Sequence, residues 1–167
     1  MKYFAYGSNM SLARLQQRVP NARVSGCYFL DGHDLRFHKA GQDGSAKCDA
    51  FYTGRGDRIY GVLFDISVSE KPVLDRAEGL GAGYDEKMVQ LQNEQGGRVQ
   101  AITYYALQID ASLKPYRWYV NHLLVGAREA NLPAEYIEKI MGFEFIDDPD
   151  ADRHARESLI HVQAPRF

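Results

Sequence analysis

Tyr3-Phe4-Ala5-Tyr6-Gly7-Ser8-Asn9 opens the chain, and the reading of everything after it turns on this stretch. Tyr3, Phe4 and Ala5 are aromatic or small and suit a buried strand. Gly7-Ser8-Asn9 ends that strand, because glycine accepts backbone angles that other residues avoid and so permits a sharp turn with bare N–H groups. Ser8, Asn9 or Ser11 can cap the helix suggested by Leu12 and Leu15. A strand, a glycine turn and a helix start form a place where backbone donors converge on an anion. The same pattern also fits an ordinary strand-to-helix turn, so the stretch locates a candidate site without assigning it a chemistry.

Outward from this segment, 167 residues suit one domain with a sizeable core, and a tail begins at about residue 147. A 45% hydrophobic and 25% charged composition with net charge -2 is that of a soluble globular protein, without the basic excess of a nucleic-acid binder. Eleven tyrosines against one tryptophan favour a barrel or a polar pocket. Two cysteines, Cys27 and Cys48, are too few for a disulfide scaffold and have no metal-ligand spacing. No apolar run approaches the roughly 18 residues of a membrane span. The start lacks the pattern of a signal peptide, so a cytoplasmic location without membrane partners is expected.

Strands are expected at Ala22–Leu30, Leu35–Phe37, Cys48–Thr53 and Ile59–Ile66, with Asp31-Gly32 as a hairpin signal. This succession reads as an antiparallel meander or barrel. Ser69 can cap a helix with Pro72 in its first turn, Val73, Leu74 and Ala77 towards the core, and Gly79 as its stop. Strands at Met88–Leu91 and Val99–Leu107 flank a turn at Asn93–Gly97. Pro115 opens a long helix in which Tyr116, Tyr119, Val120, Leu123, Leu124, Ala127 and Ala130 form one apolar face. A second helix starts near Pro133.

Among the groups that could do chemistry, Glu78 stands at the C-terminal end of the shorter helix, facing the negative end of its dipole. That position, with partial burial, should make it a better base, although position alone equally fits a solvated helix-end glutamate. His33, His38, His122, His154 and His161 show no metal-binding spacing, and His122 is expected at the boundary of the long helix's apolar face. A Cys48–His33 or Cys48–His38 nucleophilic pair has no local support. There is no GxSxG elbow, Walker loop or dinucleotide fingerprint.

The opening segment resembles the signature loop of the gamma-glutamylcyclotransferases. Leu74-Asp75-x-x-Glu78-Gly79 is similar to the family segment that carries the catalytic glutamate, and Gly83-Tyr84 to the loop after it. Pro115-x-x-x-Tyr119, Gly126-Ala127-Arg128-Glu129 and Leu132-Pro133-x-x-Tyr136 resemble the family's C-terminal helices, so the likeness runs in order from Tyr3 to Ile140. It implies an α+β fold, a small mostly antiparallel β-barrel flanked by helices. It implies that Glu78 is the proton carrier, that Tyr3, Phe4, Ala5, Tyr6, Gly7, Ser8 and Asn9 bind a gamma-glutamyl group, and that Tyr105 and Tyr119 line the pocket. No metal or organic cofactor is implied. Asn9 after Gly7-Ser8 is similar to the general gamma-glutamyl amino acid type, whereas glutathione-specific relatives tend to have leucine there and gamma-glutamylamine enzymes tend towards Gly-Thr-Leu. Departures at Asp85-Glu86-Lys87, in Asp31–Lys47 and after Met141 leave the acceptor side open. The alternatives are an enzyme for gamma-glutamylamines or glutathione, a non-catalytic binder of small carboxylates, and a partner-binding domain. The resemblance adds a homodimer as an expectation, against the plainer reading of the long helix's stripe as core.

Overall fold

A computed structural model describes residues 1–162. The first strand, β1 (Lys2–Ala5), leads into a single 3-10 turn (Ser8–Met10) and a short helix, α1 (Leu12–Gln16). Strands β2 (Arg23–Asp31), β3 (His33–Ala40), β4 (Ala46–Tyr52) and β5 (Arg58–Asp65) precede helix α2 (Lys71–Glu78). Strands β6 (Tyr84–Gln92) and β7 (Arg98–Ala106) follow, and then helices α3 (Arg117–Glu129), α4 (Ala134–Met141) and α5 (Ala151–Leu159). No described helix is long and apolar enough to cross a membrane.

Five strands close a barrel in the order β1-β5-β2-β6-β7, as expected of an α+β barrel flanked by helices. Every pairing is antiparallel except the closing one, in which β1 runs parallel to β7 through Tyr3 opposite Ile102. The opening segment is therefore an interior strand, bonded on both sides, which explains why it is apolar at Tyr3, Phe4 and Ala5 without the alternation of a half-exposed strand. Phe4, Phe64, Leu63, Ile59 and Leu91 are fully buried around it.

The Asp31-Gly32 signal does not make a hairpin. Strand β2 pairs with β5 and β6, whereas β3 pairs only with β4 in a separate two-stranded arm. Gly32, at φ 72°, is the corner where the chain leaves the barrel. The arm is moored at Asp49, which accepts from the Ala106 N–H at 2.8 Å and lies 2.8 Å from His38 Nε2. A buried contact from Asp49 of the arm to the Ala106 N–H of the barrel gives no sequence-local signal, so the excursion was not legible.

Other expectations shift in detail. Ser11 is the residue that caps α1, accepting from the Arg14 N–H. Ser69 does not cap α2; its hydroxyl meets Ser67 instead, and Glu70 holds the N-cap position without a side-chain bond. Only Leu74 of the three proposed core residues of α2 is buried, while Val73 and Ala77 face outwards, because α2 touches the barrel along a narrow strip. Gly79 does stop the helix, in the left-handed conformation at φ 68° and ψ 48°, where a side chain would be strained.

Helix α3 buries more than the predicted stripe: Trp118 and His122 are also buried, and His122 is fully so. The charged tail supplies the reason. Its helix α5 lays Glu157 2.9 Å from His122 Nε2, and Glu157 also pairs with Arg14 of α1. His161, just past α5, meets His122 Nδ1 at 2.6 Å. The end of the tail, 163–167, lies outside the described residues.

Two outcomes follow from this packing. Helix α3 presses so closely on the 3-10 turn that a Cβ at Gly126 would come 2.4 Å from Ser11 N and 2.5 Å from the Met10 carbonyl carbon. Both are backbone atoms and cannot rotate away, so Gly126→Ala should cost about 1–3 kcal/mol, read as a lower urea midpoint. An unchanged midpoint would mean that the contact is slack. The tail makes an acid-sensitive seam. Burial pushes His122 down to about 4 from 6.5. Burial alone would raise Glu157, but its bonds with His122 and Arg14 bring it down to about 2 from 4.5. Both folded values lie below the unfolded ones, so the unfolded chain binds these protons first and acid destabilises the fold. The melting temperature should fall as pH drops from 6.5 towards 4 for His122, and further between 4.5 and 2 for Glu157. His122→Gln should flatten the upper part of that fall; equal slopes in the two proteins would refute the assignment.

Candidate active site

Tyr6 carries the chain out of β1, and Gly7 turns it under α3. Gly7 sits at φ -108° and ψ -145°, outside the left-handed region, so its purpose here is room. A Cβ on it would lie 3.2 Å from Cys48 Cβ and 3.5 Å from the Tyr119 hydroxyl. The N–H groups of Gly7 and Ser8 donate no hydrogen bond among the described residues. They are the loose donors expected where a helical turn begins.

Glu78 closes the opposite wall as the last residue of α2, with its side chain 15% exposed. Two interactions hold that helix end. One turn earlier, Asp75 accepts from the Tyr104 hydroxyl at 2.6 Å and pairs with Lys71. At the carboxylate itself, Asn9 Nδ2 donates to Oε1 at 2.8 Å and Arg18 Nη1 reaches the same oxygen at 3.2 Å. Oε2 has no partner among the described residues. Asn9 is bonded on every side, since its Nδ2 also lies 3.1 Å from the Tyr3 hydroxyl and its Oδ1 accepts from Arg18 at 2.9 Å. Arg18 was missed in the sequence; it contacts Glu78 from 60 residues away, past the end of a five-residue helix.

Between these walls is a cavity of about 30 Å³. At roughly 10–15 Å³ per water by this measure, it admits a group of only a few heavy atoms. Of the expected residues, Tyr3, Tyr6, Gly7, Ser8, Asn9, Glu78 and Tyr119 line it. Phe4 and Ala5 do not: Phe4 is fully buried in the barrel core, and Ala5 is buried in register with Val62. Tyr105 also lies elsewhere, with its hydroxyl 3.3 Å from Asp85 on the neighbouring strand. The pleat turns consecutive residues to opposite faces, and it is Tyr104 that faces the cavity. Cys48 and Tyr84 complete the lining.

The hydroxyls are fixed. Tyr6 donates to the Tyr104 carbonyl at 2.7 Å, Tyr84 to the Cys48 carbonyl at 2.6 Å, and Tyr119 accepts from the Cys48 N–H at 3.1 Å. Burial raises the pKa of Tyr3, Tyr6, Tyr84, Tyr104 and Tyr119, so all remain neutral. Burial likewise raises Cys48, which keeps its proton and is no thiolate nucleophile. The nearby imidazole of His38 is engaged with Asp49 rather than with Cys48. Among the cavity's lining residues, only Glu78 carries a carboxylate.

The cavity opens onto an outer cleft of about 350 Å³, and Ser8, Glu78, Tyr84 and Tyr119 border both. A substrate that puts a small polar end group into the inner cavity must therefore lay its remainder past Glu78 into the cleft.

The chain is similar to known proteins in sequence and in fold. The sequence model of the AIG2-like family matches residues 58–140. Gamma-glutamylcyclotransferase from Homo sapiens is 29% identical over 147 residues, covering 85% of this chain and 78% of that one. The Bos taurus protein of the same name is 28% identical over the same shares. A solved structure named gamma-glutamyl cyclotransferase superposes with a TM-score of 0.88 at 26% identity, over 97% of this chain and 98% of that one. By sequence and by fold, the chain is similar to the gamma-glutamylcyclotransferases.

Proposed function

We propose that this protein is a gamma-glutamylcyclotransferase that cyclises gamma-glutamyl amino acids, releasing 5-oxoproline and the free amine. The observation that carries this reading is the lone carboxylate, Glu78, set against the unpaired N–H groups of Gly7 and Ser8 across a cavity sized for a small end group. The relatives' shared name supplies the reaction class.

The chemistry follows from the substrate's own nucleophile. A gamma-glutamyl compound carries an α-ammonium, which must lose a proton before it can attack the γ-carbonyl. The unbonded Oε2 of Glu78 takes that proton. The amine then adds to the carbonyl carbon and closes a five-membered ring, and the oxygen gains negative charge. N–H donors such as those of Gly7 and Ser8 stabilise charge that develops in this way, because they are already oriented before it appears. Glu78 returns the proton to the departing nitrogen, the C–N bond breaks, and the carbonyl re-forms. Both nitrogens are attached to the same carbon in the intermediate, so one carboxylate can serve both transfers. Asn9 and Arg18 hold Oε1 and keep Oε2 turned to the reaction. The fixed tyrosines leave the chain little room except the folded shape that brings amine and carbonyl together.

Glu78→Gln tests this assignment. The amide keeps the size and can still meet Arg18 and Asn9, but it takes no proton from an ammonium. The rate of 5-oxoproline formation should fall about 10²- to 10⁴-fold, with much smaller changes in substrate binding. Glu86→Gln is the control: Glu86 pairs with Lys71 at the surface and lines neither cavity. Its turnover should stay within a few-fold of the parent. A folded, fully active Glu78→Gln protein would remove Glu78 as the proton carrier. A panel of gamma-glutamyl dipeptides, a gamma-glutamylamine and glutathione that yields no 5-oxoproline at all would remove the reaction.

A further inference from the structure

The outer cleft is unbalanced in charge. Arg14, Arg18, Lys39, Lys47 and Arg76 line it, against Asp43 and Glu78. Three of these cations are matched: Arg14 by Glu157, Arg18 by Glu78 and Lys47 by Asp43. Arg76 has no ion pair among the described residues and stands in solvent.

Lys39 is different. It is 7% exposed, yet its ammonium makes no hydrogen bond or ion pair among the described residues. It lies 4.9 Å from the ring of Tyr84, a residue shared by cavity and cleft. Space is reserved for it, since a Cβ at Gly83 would come 2.9 Å from its Nζ. The backbone around it is tied down: the Ala40 N–H donates to the Gln108 carbonyl, and the Asp110 N–H to the His38 carbonyl. An ammonium that faces a cleft with an aromatic ring beside it but no oxygen acceptor is open to an anion. A lysine held in this way in the outer cleft, against a tyrosine that also lines the inner cavity, has the properties of a receptor for an anion that arrives with the substrate.

We propose that Lys39 is a specificity-determining residue that pairs with a carboxylate on the leaving amine. The inference rests on the cyclotransferase reading. With a small end group of the glutamyl moiety in the inner cavity and the scissile nitrogen beside Glu78, the leaving group extends into the cleft towards Lys39. The substrate class this favours is a gamma-glutamyl amino acid with a free carboxylate beyond the scissile bond, over neutral gamma-glutamylamines.

The test compares gamma-glutamylalanine with gamma-glutamylalaninamide, which differ only in carboxylate against carboxamide beyond the scissile bond. The parent protein should prefer the acid in kcat/KM by about tenfold to a hundredfold, the range of a hydrogen bond to a charged group. K39M should lose that preference through the acid alone, with the amide within twofold, and K39R should restore part of it. K39Q provides a second neutral variant, read in the same way, should K39M fold poorly by its melting temperature. Equal turnover of acid and amide by the parent protein overturns the role of Lys39 and leaves the cyclotransferase reading standing. So does a K39M variant that slows both substrates by one factor. Turnover of neither peptide, nor of glutathione or a gamma-glutamylamine, sinks the parent reading and this inference with it.

Discussion

One side-chain amide joins the two halves of the site. Asn9 Nδ2 bonds the Tyr3 hydroxyl and Glu78 Oε1, and its Oδ1 accepts from Arg18. The first strand and the end of α2 are thus locked together across 69 residues of chain. Asn9 is 5% exposed, so each of these bonds is worth more than at a surface, and each would be costly to leave unmade. The rest of the structure keeps this amide in place. Gly126 lets α3 sit directly on the turn that carries it, and Asp75 pins α2 to Tyr104 one turn before the carboxylate. The asparagine that follows Gly7-Ser8 in the sequence is, in three dimensions, the group that fixes the Glu78 carboxylate.

This arrangement explains which parts were legible. The strand at Tyr3–Ala5, the stop at Gly79, the barrel and the apolar face of α3 all follow from periodicity and turn chemistry, which are local. Glu78, Asn9 and Tyr119 came from a resemblance of ordered motifs. What escaped was set by contacts between distant residues. The arm of β3 and β4 leaves the barrel because His38, Asp49 and Ala106 N–H meet, and no short window of sequence contains all three. Tyr104 and Tyr105 are adjacent and chemically identical, so only strand register separates the residue that faces the cavity from the one that does not. His122 looked like a boundary residue because the helix that covers it lies about thirty residues further on, in a tail with few apolar positions.

The electrostatics divide the site into two shells with different tasks. The inner cavity is lined by neutral hydroxyls and one carboxylate, and burial keeps the tyrosines and Cys48 protonated. The cavity therefore offers fixed hydroxyl dipoles and a single carboxylate, that of Glu78. The outer cleft is cationic, and its cations come from separate pieces of the fold: α1 and the residues just after it, the β3–β4 arm and α2. No single element makes the cleft positive, which is why a chain with net charge -2 gave no hint of it.

The two shells also differ in how freely they can vary. The inner cavity is made chiefly by β1, the 3-10 turn, α2, β6, β7 and α3, elements tied to one another through the barrel and through Asn9. A change in any one moves Glu78 or the donors opposite it. The arm contributes Cys48 to the inner wall but otherwise meets the cleft, and it is held at its base by Asp49 and at its edge by strand-like bonds to residues 108–110. Its surface side chains can change without disturbing the barrel, because the register of β1, β5 and β7 does not pass through it. The opening segment, Glu78, Tyr84 and Tyr119 border the inner cavity, and the stretch Asp31–Lys47 supplies Lys39 and Lys47 to the cleft. The arm thus brings Lys39 and Lys47 to the cleft, while Glu78 and the N–H groups of Gly7 and Ser8 are held by other elements.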